Sequence, residues 1–359
     1  MRRTIAEDAE NRGKQTDLAD VVESKFRTLL KDGANATMDF EWLRPELPSF
    51  YDEEKFHLGQ QMFYNNTFTM MIAKLSGLLS LFAVPSMKDV LVFTRQSGTP
   101  CAAFHRYVST ILHTWVWYGK DTGLKNGFLE SLKIVRKKHC VAFRRSWEAG
   151  LSRVTQLDMA LAQFGFIGFT ILGGDYLGVN NSSEELEGLI HLWRVVGSML
   201  GMEDKYNICS GSVEVTRGLC RRILDEVFLP LLANSDEDFN EMSRTVIESL
   251  WPVNPFLDPN AFVEFTLIFA SSIATNNNHS LKIDPSRMSW HARLLLNVQL
   301  MTHKYLLRPK RWWSKFFRAY FNGQMRLAIY LTENFPYLAF WCYGVKKSYV
   351  NIFKYRINF

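Results

Sequence analysis

Apolar residues recur along this chain at the intervals of helical turns. From Phe56 onward the series runs Phe56, Met62, Phe63, Phe68, Ile72, Leu75, Leu79, as on one face of a helix. Pro45 and Pro48 mark an entry loop before it. The pattern predicts further helices over Ser86–Thr94, Pro100–Tyr118, Leu124–Arg145 and Thr155–Phe169. The turn Gln96–Pro100 breaks the first of these from the second, Pro100 suits a first helical turn, and Gly119–Gly123 closes that helix. Gly173 and Gly174 are expected to turn the chain. Ser182-Ser183-Glu184-Glu185 reads as a capping box, with Ser182 as N-cap and Glu185 three residues on. The helix that follows carries Leu186, Leu189, Ile190, Trp193, Val196 and Leu200 on one stripe and ends at Gly201. Helices over Ser212–Asn234, Asp236–Leu250, Pro259–Ala274 and Ser286–Leu306 complete the series. Strand-like alternation and internal repeats are absent, so the chain reads as all-α.

Three segments follow from the polarity. Residues 1–40 form a polar N-terminal tail with one helical stretch, Leu18–Lys31. Residues 41–308 form a single helical domain. Residues 309–359 form a basic, aromatic segment that packs on the domain or on a membrane surface. Met70–Val84 is the most apolar run, but Lys74 interrupts it and Pro85 closes it. Gln163–Val179 is short and glycine-rich. Both are expected to be core helices rather than membrane spans.

Composition adds a bulky interior: 27 Phe, 13 Tyr and 10 Trp either fill a core or line an apolar substrate cavity. The net charge of +6 permits nucleic acid or anionic membrane as partners. No nucleic-acid module is present. The basic residues of Lys304–Arg326 alternate with Trp312, Trp313, Phe316, Phe317, Tyr320 and Phe321, which points to a peripheral membrane contact. The five cysteines are odd in number and form no Cys-x-x-Cys. A disulfide framework and structural zinc are therefore not expected. The charged stretch Met1–Asp20 lacks the apolar run of a secretory signal, and a cytoplasmic setting is expected.

The candidate chemistry lies on two helices. Arg106, Thr110 and His113 are spaced i, i+4, i+7, so a cation, a hydroxyl and an imidazole share one side of a helix. Such a group can hold an oxyanion, a carboxylate or iron-bound oxygen. His139 emerges from a stripe of Leu129, Leu132, Val135 and Val141, as an axial haem ligand would, with Arg136 one turn earlier to pair with a propionate. The chain has no His-Glu-x-x-His, no Gly-x-Ser-x-Gly, no P-loop and no Gly-x-Gly-x-x-Gly. Zincin, hydrolase, NTPase and Rossmann chemistries thus lack their residues.

An ordered set of stretches carries a resemblance. These are Lys55–Gln60; Arg106-x-x-x-Thr110; Val135-Arg136-x-x-His139; Gln156-x-Asp158-Met159-Ala160 running into Phe164–Phe169; and Glu184–Glu187 through Trp193-Arg194, Gly197, Leu200–Met202 and Asp204. Over Lys55–Arg308 the chain resembles the family that groups the bacterial rubber oxygenases, or latex-clearing proteins, with the fungal ER-bound oxygenase (mpaB) of mycophenolic acid biosynthesis. It looks most like insect-type members. The resemblance implies an all-α fold with a globin-like haem-binding core and makes 41–308 a catalytic domain. It implies that His139 is the proximal ligand of a b-type haem and that Arg106 and Thr110 stand on the distal side. It also allows the cytoplasmic face of the endoplasmic reticulum as a location. Two departures stand out. Bacterial members carry a lysine just before the threonine, where this chain has Ser109, and the nearest acid upstream of Arg106 is Asp89. The expected function is a haem-dependent oxygenase acting with dioxygen on a hydrophobic, isoprenoid or lipid-like substrate. The alternatives are a non-catalytic haem or lipid-binding protein of the same fold, and a membrane-surface scaffold without cofactor.

Overall fold

The computed structural model describes residues 5–38, 46–94, 98–119, 127–275, 281, 286 and 288–353, with side chains from residue 16 onward. Pro45, Gln96, Ser97, Leu124 and most of Gly119–Gly123 lie outside them. The chain folds as one all-α domain, and among the described residues the only β feature is a single antiparallel bridge, Thr37 to Thr155. In chain order the helices are α1 (Ile5–Thr28), α2 (Glu53–Asn65), α3 (Thr67–Leu81), α4 (Pro85–Phe93) and α5 (Pro100–Tyr118). Then come α6 (Gly127–Glu148), α7 (Gln156–Leu177), α8 (Ser183–Met199), α9 (Val213–Ile223) and α10 (Leu229–Ala233). The last are α11 (Glu237–Ser249), α12 (Pro259–Ile273), α13 (Trp290–Met301), α14 (Ser314–Asn334) and α15 (Tyr337–Tyr343). Single π turns extend α1, α9 and α13.

Two helix crossings set the frame, and glycine makes both. A Cβ on Gly77 of α3 would sit 1.9 Å from the Gly165 carbonyl oxygen of α7. A Cβ on Gly59 of α2 would sit 2.5 Å from the Gly188 carbonyl oxygen of α8. Backbones this close leave no room for any side chain, so α3–α7 and α2–α8 lock as pairs. α7 is long and apolar enough to cross a membrane, yet most of it is buried inside the fold. Met70–Val84 is also core, ending in a sharp bend between α3 and α4.

Caps explain the boundaries. The Ser182–Glu185 box is present in both directions, at 3.1 and 3.0 Å. A second box, Thr155 with Asp158, starts α7. Gly201 follows α8 with φ +97°, the left-handed backbone that glycine adopts freely. Gly173 and Gly174 do not turn the chain. α7 continues to Leu177, and the turn falls at Gly178, φ +77°. Gly173 instead admits the Phe269 ring of α12, which a Cβ would meet at 2.4 Å. At the N-terminus α1 runs well before Leu18, and its last turns are packed: Val22 and Phe26 are buried, and α1 lies along α9. At the other end α14 lies on α3, where Asn322 accepts from the Phe68 amide at 3.0 Å and donates to the Asn65 carbonyl at 2.7 Å.

Candidate functional site

α5 begins at an N-cap, Thr99, with Pro100 in its first turn. It presents two working sides. One meets α6. There His113 Nδ1 lies 2.8 Å from Ser131 Oγ, and Trp117 Nε1 donates to the same oxygen at 2.9 Å. The His113 Nε2 atom is buried and has no hydrogen-bond partner among the described residues. Burial, with the charge of Lys138 and then His139, pushes its pKa down to about 3.

His139 answers from α6. Its ring stacks on Phe143 at 5.5 Å between centroids, and its buried Nδ1 also has no partner among the described residues. Burial first, then the positive charges of Arg136, Arg106 and Lys138, brings its pKa down to about 4. Both imidazoles are therefore neutral near pH 7. Each lies within electrostatic reach of the other. A neutral imidazole with a ring nitrogen left without a bond is in the state iron ligation requires.

Arg106 reaches Thr94 Oγ1 at 3.1 Å through Nη1 and is close enough to bias His139. Thr110 parts from it: its hydroxyl donates to the Arg106 carbonyl at 3.1 Å, and it lines a cavity on the other side of α5. The trio read as sharing one side is thus divided, with Arg106 and His113 toward α6 and Thr110 toward the cavity. Arg136 is buried and donates through Nη1 to the Leu200 carbonyl, its guanidinium lying where a Cβ of Gly201 would be. It closes the C-terminal end of α8. Ser109 sits 3.4 Å from Lys138 Nζ, and Asp89 is exposed on α4.

The cavity has a volume of about 80 Å³ and lies among α3, α5, α7, α14 and the segment after α11. Its wall is almost wholly apolar, with Leu75, Tyr107, Ile111 and Phe166 among its members. Its one charged member is Lys74. Its Nζ donates to Thr114 Oγ1 at 2.7 Å and stands 6.0 Å from the Phe166 ring centroid. Burial alone pushes its pKa down to about 7. In the sequence Lys74 was only the break in an apolar run. That break was the available signal, because a lone cation inside such a run must either snorkel to water or be used.

The donor chemistry fits an iron-bound group at His139. The cavity itself does not include His139, and α5 and α6 touch through His113–Ser131 and Ser109–Lys138. Among the described residues no group of three or more His, Cys, Asp or Glu side chains is placed to hold a metal ion by itself. Glu54 and His57 on α2 do have Glu-x-x-His spacing, but no such group includes them. All five cysteines are free thiols.

The other stretches that carried the resemblance are scaffold. Gln156 bonds the Gly201 carbonyl and the Glu203 amide, each at 3.2 Å. Arg194 pairs with Asp204 through two bonds of 2.8 and 2.7 Å. Trp193 Nε1 donates to Tyr118 OH at 2.7 Å.

No family model matches the chain, and no curated protein matches it in sequence. Among solved structures it is similar to the latex clearing protein LCP in the closed state, with a TM-score of 0.54, 15% identity and 88% of each chain covered. At that identity the likeness bears on the fold alone: the arrangement of helices seen here is similar to that of a latex clearing protein.

Proposed function

We propose that the protein is a haem-dependent oxygenase acting with dioxygen on a hydrophobic, isoprenoid or lipid-like substrate. The observation that carries this reading is His139: an imidazole held neutral by burial and positive neighbours, Arg106 among them, whose buried Nδ1 has no hydrogen-bond partner among the described residues. The latex clearing protein fold supports it at the level of architecture. Haem, when bound, supplies an iron that activates dioxygen. His139 would hold that iron from α6. Arg106 offers guanidinium hydrogens to a developing negative charge. Thr110 lines the apolar cavity, where the hydrocarbon part of a substrate finds dry walls. A propionate partnership would draw Arg136 away from the Leu200 carbonyl, so its part here is structural.

Haem added to the purified protein should give a Soret band, and His139→Ala should abolish or strongly shift it. Arg106→Ala should keep the band and lose oxygen-dependent turnover. An unchanged spectrum in His139→Ala removes the ligand assignment, and loss of haem from Arg106→Ala makes that residue structural.

A second surface bears on where the substrate is met. α13 and α14 each carry an apolar stripe facing outward: Trp290, Leu294 and Val298 on one, Phe316, Tyr320 and Leu327 on the other, all exposed. Trp290 is 77% exposed, Trp312 86% and Trp341 89%, values that a tryptophan in a merely solvated surface seldom reaches. Residues 288–353 hold ten Lys/Arg and one acid, Glu333. Arg318 turns inward to the Gly178 and Leu307 carbonyls, while Arg308, Lys310, Arg311 and Lys315 are exposed. A second copy would bring like charges together, whereas an anionic bilayer supplies both the lipid and the counter-charge. We read this face as a peripheral membrane contact. Sedimentation with phosphatidylserine vesicles, and none with pure phosphatidylcholine, is the expected result. Equal failure with both, or self-association in place of binding, removes it.

A further inference from the structure

We propose that the cavity beside α5 is a binding site for the head of a hydrophobic carboxylic acid, with Lys74 as the partner of its carboxylate. α3 is apolar over Thr67–Leu81, and Lys74 is its one charged residue. A lysine in such a helix ordinarily runs its stem along the surface and leaves its amine in water. Here the amine crosses to α5 and ends on Thr114 Oγ1 at 2.7 Å. That hydroxyl's own hydrogen is directed at the Thr110 and Ile111 carbonyls, each 2.9 Å away, so its oxygen is turned to accept. One acceptor meets one of an ammonium's three hydrogens. No acidic side chain among the described residues contributes to its titration: desolvation is the whole cause of the fall to about 7. Among the described residues the ammonium thus has one hydrogen-bond acceptor, Thr114 Oγ1, and no carboxylate beside it. A ligand carboxylate supplies a further acceptor and the counter-charge, as charge-assisted bonds.

Most of the rest of the lining is apolar. Leu75, Leu78, Ile111, Phe166 and Met325 form most of the wall. A volume of about 80 Å³ is about half that of the engineered cavity of roughly 150 Å³ that takes up benzene. It receives a head group and a few methylenes, not a whole lipid. The proposal deepens the hydrophobic-substrate reading by giving the substrate an acid end, and it requires no iron. An aldehyde would meet the same amine differently, by losing water to form an imine.

The test uses the full chain without added haem, titrated with oleate and with methyl oleate by calorimetry. Oleate should bind at one site per chain, and methyl oleate at least about tenfold more weakly. Lys74→Met should weaken oleate by about tenfold or more, while Lys31→Met, exposed at the π turn after α1, leaves it unchanged. Binding should also weaken as pH rises above about 7, where the free amine has lost its proton. Because the wild-type acid-against-ester comparison needs no variant, misfolding of Lys74→Met would not rescue the idea. Equal binding of acid and ester overturns it, as does an unaffected Lys74→Met or a borohydride-trapped aldehyde adduct without acid binding. Haem uptake is read separately by absorbance, so either reading can fail alone.

Discussion

His303 and His139 are both imidazoles that burial pushes down to about 4, and they differ in what their nitrogens meet. His303, at the π turn after α13, places Nδ1 2.8 Å from the Leu177 carbonyl and Nε2 2.8 Å from the Gln299 amide nitrogen. A carbonyl can only accept, so Nδ1 carries the hydrogen and Nε2 accepts from Gln299. The ring also stacks on Phe68. Every polar atom of His303 has a use within the fold. His139 has a stacking partner and a buried nitrogen with none among the described residues. Burial and neutrality therefore do not separate a core histidine from a candidate ligand. The hydrogen-bond inventory does.

The largest expected effect follows directly. His303→Ala leaves the Leu177 carbonyl and the Gln299 amide without their partner and opens a hole beside Phe68. It should cost about 3 kcal/mol of unfolding free energy. His139→Ala removes no hydrogen bond seen in the fold and should cost no more than about 1 kcal/mol in haem-free protein. Denaturant unfolding of both variants checks this. Equal losses would mean that His139 is as structural as His303.

Titration comes next in size. The folded values near 4 and near 3 lie below the roughly 6.5 of an unfolded histidine. Neutral His113, His139 and His303 thus contribute stability that is complete above about pH 6.5. It is lost as pH falls toward about 4, because the unfolded chain takes up protons that the folded one refuses. His139→Gln removes one of these protons. In that window its stability should fall less steeply than the wild type's, by up to about 1.4 kcal/mol per pH unit. Urea midpoints at pH 7, 6 and 5 measure the slopes, and identical slopes would mean that His139 titrates normally in the fold.

Much of the architecture was legible in the sequence because its signals are local. Apolar spacing, Pro100 in a first turn, and the Ser182–Glu185 box fixed helices to within a few residues. Gly173 misled because glycine serves two purposes. It permits a turn, and it permits a close approach, and only the position of Phe269 tells which. Phe164–Phe169 was expected to end a helix that continues for two more turns for the same reason. The candidate site was legible in part. Arg106 does bear electrostatically on His139, whereas Thr110 turns to the apolar cavity and Arg136 bonds the Leu200 carbonyl at the end of α8. Helical periodicity assigns a side but not what stands across from it. Lys74 was visible only as an interruption, since its partner Thr114 is 40 positions away.

The smallest expected effect tests whether partners are what distinguish the two imidazoles. Gln299 lies one turn from His303 on the same helical path and, as the Nε2 donor, can be removed without touching the ring. Gln299→Leu keeps the apolar bulk and leaves Nε2 of His303 buried without its partner, as Nδ1 of His139 is without one among the described residues. The stranded nitrogen should cost about 1 kcal/mol, since the Leu177 bond and the Phe68 stack remain. The ring stays neutral, because burial rather than Gln299 sets its titration. If stability is unchanged in denaturant melts, an unbonded buried nitrogen is cheap in this fold. His139 would then need no ligand to explain it.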